Sequence, residues 1–237
     1  GGGNKVTGLQ DLTGAEAIAE YRVVGMPPEP DLEGLVQLAA TLCAVPTAVI
    51  NIIDDRFQHQ IAAIGFTPAI CSREDSMCAV VFQDPGHVVI QDARQDERFA
   101  LNPFVTGDIA NVRFYASSPL VTPHGVAIGT LCVFDDEVGD LTPERSDALM
   151  LLAHQVVEVL ELRRLTHDLA QSNRELEMFA GRVSHDLRNP LTALTGFIEL
   201  AADSPEMANA PRASRALDRA GAAAHRMADM VSHLLDF

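Results

Sequence analysis

The chain of 237 residues has no tryptophan, a single lysine (Lys5) and few aromatic side chains. Positive charge is scarce as well: 17 Lys and Arg stand against 33 Asp and Glu, a formal net charge of −16, with most of the excess before residue 166. Neutralising phosphates takes a basic surface, so this balance argues against nucleic acid as a partner. Long apolar runs are missing too, which removes any expectation of a membrane-spanning helix or a membrane partner. The opening GGGNKVTG lacks the charged and apolar regions of a signal peptide. Residues 1–15 therefore read as a tag or flexible lead, and the chain reads as cytoplasmic. The four cysteines, Cys43, Cys71, Cys78 and Cys132, match neither a zinc spacing nor a CxxC pair. Reduced, mostly buried thiols are expected.

The length suits one substantial domain and a smaller module. Asp31 to Cys43 places Leu32, Leu35, Val36, Leu38 and Ala39 on one stripe, an amphipathic helix with Asp31 as its N-cap. Thr47–Asp54 and Gln58–Gly65 are β-rich and flank a turn, which predicts a hairpin. His87–Asp92 is a third strand. Phe114–Val121 and Gly125–Asp135 flank the turn TPHG and predict a second hairpin. Hairpins between helices imply an α+β domain with an antiparallel sheet.

From Thr142 the pattern changes. Thr142 caps, Pro143 starts, and no Gly or Pro follows until Gly181. Leu162, Leu165, Leu169, Ser172, Leu176, Phe179 and Val183 alternate in steps of three and four, a coiled-coil seam. The steps Leu187, Leu191, Leu194 and Ile198 predict a stutter in the same seam. A turn at 201–211 ends this helix. A second helix follows with Ala213, Leu217, Ala220, Ala224, Met227, Val231 and Leu234 on one side. Two such helices bury little alone, which predicts a parallel homodimer and a four-helix bundle.

Within the long helix lies SHDLRNP, Ser184 to Pro190. His185 is two residues from both Val183 and Leu187, so it points away from the seam. A neutral imidazole is a nucleophile when a carboxylate holds one ring nitrogen, and Asp186 adjoins it. Asn189, one turn on, offers an amide to hold a water, and Pro190 predicts a helix bend.

VSHDLRNPLTALTGFIEL, residues 183–200, resembles the phosphoacceptor H-box of sensor histidine kinases, in the dimerisation and phosphotransfer (HisKA-type) domain. The ending VSHLLDF is similar to the close of that domain's second helix. The resemblance implies His185 as the phosphorylated residue, Asp186 as general base, and Asn189 as the amide used to dephosphorylate a partner. It implies ATP with Mg as cofactors, bound on a separate downstream catalytic domain expected outside these residues. The implied partners are that ATP-binding domain, a response-regulator receiver domain and a second copy of the chain. The fragment by itself is expected to be inactive with ATP.

The stretches PPEPDLEGLVQLAATLCAVPTAVINIIDD, ARQDERFALNPFVTGDIANVRFYASSPLVTP and GVAIGTLCVFDDEVGDLTPERSDALMLLAHQVVEVLEL resemble a bacterial GAF subgroup. That implies a central antiparallel sheet flanked by helices, with a ligand-sized pocket. The cyclic-nucleotide signature of some GAF domains is not recognisable. Cys71 and Cys78 lack the following histidine of bilin attachment, and the GAF ligand stays unknown. His59, His87, His124 and His154 are isolated and read as surface or bonded core residues rather than haem ligands. Asp135, Asp136 and Glu137 read as a solvated turn, with no metal expected. The layout is a lead at 1–15, a GAF domain at 16–160, a signalling helix at 161–178 and the phosphoacceptor hairpin at 179–237. The reading is a sensor histidine kinase. Its rivals are a non-catalytic GAF dimerisation module with a vestigial H-box, and a GAF redox enzyme using Cys71 and Cys78.

Overall fold

The computed structural model describes residues 13–83 and 85–233. The lead up to residue 12, and Leu234 with the closing residues of the second hairpin helix, lie outside them. The chain divides into two compact units, 1–165 and 166–237.

In the first unit, six strands form one antiparallel sheet in the order β3-β2-β1-β6-β5-β4. They are β1 (Thr47–Ile53), β2 (Phe57–Ile64), β3 (Ile70–Ser72), β4 (Val88–Ile90), β5 (Phe114–Val121) and β6 (Ala127–Asp135). Both predicted hairpins form, β1 with β2 and β5 with β6, and β1 then pairs with β6 at the centre. Gly129 permits that pairing, because a Cβ there would sit 1.8 Å from the Asn51 carbonyl oxygen.

The central strand β1 is apolar on both faces because both faces are covered. Ala48, Ile50 and Ile52 point to one core. It also holds Leu32, Val36 and Ala39 of α2 (Pro30–Cys43), Ile18 of α1 (Gly14–Tyr21), and Leu149, Leu152, Val156 and Leu160 of α5 (Pro143–Ala202). Val49 and Ile53 point to the other core, with Tyr115, Cys132 and Phe99. That face is closed by the short helices α3 (Met77–Val81) and α4 (Pro103–Thr106). The α+β expectation is met.

Two local expectations change. The first helix of the stripe starts at Pro30 with Glu29 as N-cap, not with Asp31. Proline's fixed φ and missing N–H suit the first helical position, and Asp31 falls in the first turn, where a carboxylate favours the helix dipole. An earlier helix, α1, occupies what reads as polar lead. Its signal is Thr13-x-x-Glu16, a reciprocal capping box in which Thr13 N donates to Glu16 Oε2 at 2.8 Å.

In the second unit, the later part of α5 and α6 (Pro211–His233) pair as a helical hairpin, joined through a short 3-10 turn at Pro205–Asn209. Leu191, Ala224, Val231 and Ser184 are its buried residues among those described. Ser184 Oγ donates to the Val231 carbonyl at 3.4 Å, and Ile198 rests on Gly221. Leu187, Leu194, Phe197 and Met230 remain exposed. The single seam expected past Val183 is therefore split between two faces. Leu191 and Ile198 turn to α6, while Leu187 and Leu194 do not.

Candidate functional site

The α5 surface around His185 has three sectors, set by about 100° per residue. Taking buried Ser184 as origin, Leu191 and Thr195 fall within about 20° of it and face α6. Leu176, Phe179, Val183, Leu187, Pro190 and Leu194 cluster about 220–300° round. His185, Asn189 and Asp186 fall at roughly 100°, 140° and 200°, on the remaining face. The sequence reading of His185 as turned away from the apolar stripe holds.

The two H-box side chains meet. His185 Nδ1 lies 3.2 Å from Asp186 Oδ1, and the side chains are 74% and 81% exposed. With the proton on Nδ1, the carboxylate accepts it and Nε2 keeps its lone pair toward solvent. Asn189 is exposed on the same face. Helix α5 runs unbroken through Pro190. Since Pro190 has no N–H, the Asp186 carbonyl four residues earlier loses its helical donor. The residue that sequence reasoning missed is Ser184, whose buried hydroxyl ties this turn to α6. A small polar residue beside His185, at heptad spacing from Leu191, was its only signal.

The remaining candidates separate. His59 pairs with Asp54 at 2.7 Å, His154 with Glu158 at 3.5 Å, and His124 is exposed in a turn. His87 bridges Ser118 and Ser146. Asp135 accepts from the Glu137 amide within a turn, with Asp136 and Glu137 exposed. Among the described residues no cluster of metal-ligating side chains forms. All four cysteines are free thiols. Cys43 is buried on the helix-covered face of the sheet. Cys71 is half-buried, and its thiol is pushed up to about 11 by burial first and then by Cys78 and Asp75. Cys78 and Cys132 both lie against Asn51 Nδ2, at 3.4 and 3.5 Å.

Residues 175–237 match the profile of the His Kinase A (phospho-acceptor) domain. The C-terminal segment is thus similar to that domain. The matched segment includes His185, Asp186, Asn189 and Pro190. The cyclic di-GMP phosphodiesterase PA2567 of Pseudomonas aeruginosa is 36% identical over 118 residues, 50% of this chain and 20% of that protein. The chain spans about a fifth of the length of that curated relative. Among solved structures, the GAF domain of an Acinetobacter phosphoenolpyruvate-protein phosphotransferase aligns at TM-score 0.47 and 18% identity, over 58% of this chain and 84% of that one. The PixJ GAF domain of Thermosynechococcus elongatus aligns at TM-score 0.47 and 16% identity, over 68% and 94%. The sheet described above has the antiparallel, helix-flanked arrangement that the GAF resemblance implies. No helix among the described residues is long and apolar enough to cross a membrane.

Proposed function

We propose that this chain is the sensor and phospho-acceptor portion of a two-component sensor histidine kinase, with His185 as the residue phosphorylated. The observation that carries the proposal is the His185–Asp186 pair on an exposed helix face, inside a segment matching a phospho-acceptor domain. Asp186 holds the Nδ1 proton and leaves Nε2 as nucleophile. As Nε2 bonds to the γ-phosphorus of ATP, the bond from phosphorus to the bridging oxygen breaks and ADP leaves; the ring becomes cationic, and Asp186 stabilises that charge or takes the proton. The exposure of both groups leaves room for a docked catalytic domain and, later, a receiver domain.

In keeping with the H-box resemblance, ATP and Mg are assigned to a separate ATP-binding domain, which supplies most of the positioning and charge stabilisation of phosphoryl transfer. This chain's own share is to present the nucleophile, hold its tautomer and pass the phosphoryl group to a receiver aspartate. A homodimer is part of the proposal, since the apolar sector through Leu187 and Leu194 is exposed in the single chain.

The test is incubation of the chain with radiolabelled ATP and a histidine-kinase catalytic domain supplied separately. The expected result is acid-labile, base-stable label on wild type and none on His185→Gln. Equal labelling of the two would sink the assignment. No label on wild type, with a control acceptor labelled, would favour the non-catalytic GAF module.

A further inference from the structure

Away from the H-box, unused chemistry collects on the β1 and β6 face opposite α2. Cys78, in α3, and Cys132, on β6, are both buried and both line a cavity of about 330 Å³. The wall is otherwise largely apolar, with Val49, Phe66, Met77, Phe104 and Phe134. Polar contacts converge on the sulfurs. Tyr115 O–H donates to Cys78 Sγ at 2.9 Å. Asn51 Nδ2 lies 3.4 Å from Cys78 Sγ and 3.5 Å from Cys132 Sγ. Asn51 Nδ2 thus bridges the two sulfurs.

A neutral thiol is a weak acceptor, whereas several donors on one sulfur suit a thiolate. Burial alone raises the Cys78 thiol. The side chains around it, led by Cys132 and including the Tyr115 hydroxyl that donates to it, outweigh burial, and the net shift is downward. Cys132 moves the other way, pushed up by the neighbouring Cys78 sulfur and by burial. Asn51 Oδ1, in the same wall, is buried without a partner, an acceptor left for an incoming O–H.

We propose that Cys78 is a modification site for small hydroperoxides and that Cys132 resolves the product into a disulfide within the domain. The Cys78 sulfur attacks one peroxide oxygen and the O–O bond breaks. The departing oxygen takes up a proton and leaves as water or an alcohol, and Cys78 becomes a sulfenic acid. The Cys132 sulfur then displaces the hydroxyl, which leaves as water with the Cys132 proton. Two thiols and one hydroperoxide yield one disulfide, one water and one water or alcohol. Both electrons lost by sulfur reduce the O–O bond. The contact between the thiols must close to about 2.05 Å, which a shift of the five-residue α3 can supply. The site is independent of whether His185 accepts phosphate.

The experiment exposes the full chain to a few equivalents of hydrogen peroxide over time, blocks free thiols with N-ethylmaleimide and maps peptides by mass. The expected product is a Cys78–Cys132 linked peptide, formed at least about ten-fold faster than oxidation of Cys43 or Cys71. Cys132→Ser should leave Cys78 as a dimedone-reactive sulfenic acid. Tyr115→Phe should slow the reaction at neutral pH and move the midpoint of its pH–rate profile upward, which a loss of packing alone would not do. Should Cys132→Ser not fold, the wild-type map and the Tyr115→Phe profile decide the matter. A Cys71–Cys78 disulfide, oxidation of Met77 ahead of Cys78, or an unmoved pH midpoint in Tyr115→Phe would each overturn the proposal.

Discussion

His185 Nδ1 and Asp186 Oδ1 stand 3.2 Å apart on successive residues of one exposed helical turn. The contact directs one ring nitrogen and frees the other, so the carboxylate should matter to the rate rather than to folding. Asp186→Asn is expected to slow labelling of His185, in the presence of a catalytic domain, by ~10² or more, the usual worth of a general base. Thermal unfolding should be unchanged, as the side chain is 81% exposed. A labelling rate within two-fold of wild type would remove Asp186 from the chemistry.

Asn189 shares the His185 face but lies a turn further along, with no contact to the imidazole among its described bonds. Asn189→Ala should therefore leave labelling of His185 largely intact. It should lower dephosphorylation of a prephosphorylated cognate receiver domain by about ten-fold or more, the cost of misplacing a water. Loss of labelling with dephosphorylation spared would reverse the roles given to Asn189 and Asp186.

The hairpin buries few side chains on its own, whereas Leu187 and Leu194 are 43% and 48% exposed. Burying each leucine across a two-fold axis contributes about 1.5–3 kcal/mol, and a symmetric interface counts every such residue twice. Light scattering at micromolar concentration should give twice the chain mass for wild type. Leu187→Glu with Leu194→Glu should shift it toward the monomer. Leu191→Glu should instead unfold the hairpin, because Leu191 faces α6. A monomeric wild type would contradict the shared bundle.

Much of this was legible from residue pattern alone, for reasons that also explain the omissions. β5 and β6 announce themselves through β-rich runs around a TPHG turn, and His185 through its acidic neighbour. β3, α3 and α4 run to five residues or fewer, too short for a period to register. Leu187, Leu191, Leu194 and Ile198 read as one stripe because spacings of three and four do not say which of two partners a face meets. Cys132 joins Cys78 around Asn51 only because β6 pairs beside β1, a long-range contact that spacing cannot show. The hint was Asn51, the one amide in the otherwise apolar run AVINII, which a covered central strand tolerates only with partners.

His87 ties the sheet to the start of α5, with Nδ1 2.7 Å from Ser118 Oγ and Nε2 2.6 Å from Ser146 Oγ. Burial lowers its pKa, and Asp147 offsets this in part. The unfolded chain, near 6.5, therefore binds the proton more readily than the folded one. The contribution to stability is fully present above about 6.5 and is lost as pH falls from there through the folded value. Asp54, also lowered in the fold, acts in a separate window: burial raises it, hydrogen bonds from His59 and two backbone amides outweigh that, and its contribution fades only below about 3.8. Between pH 7 and 5 the melting temperature of wild type should thus fall more steeply than that of His87→Gln, which has no proton to gain there. Circular dichroism melts at half-unit steps decide the point. Parallel curves would mean that the ring takes up its proton without disturbing the two serine contacts, since both hydroxyls can turn to accept from an imidazolium.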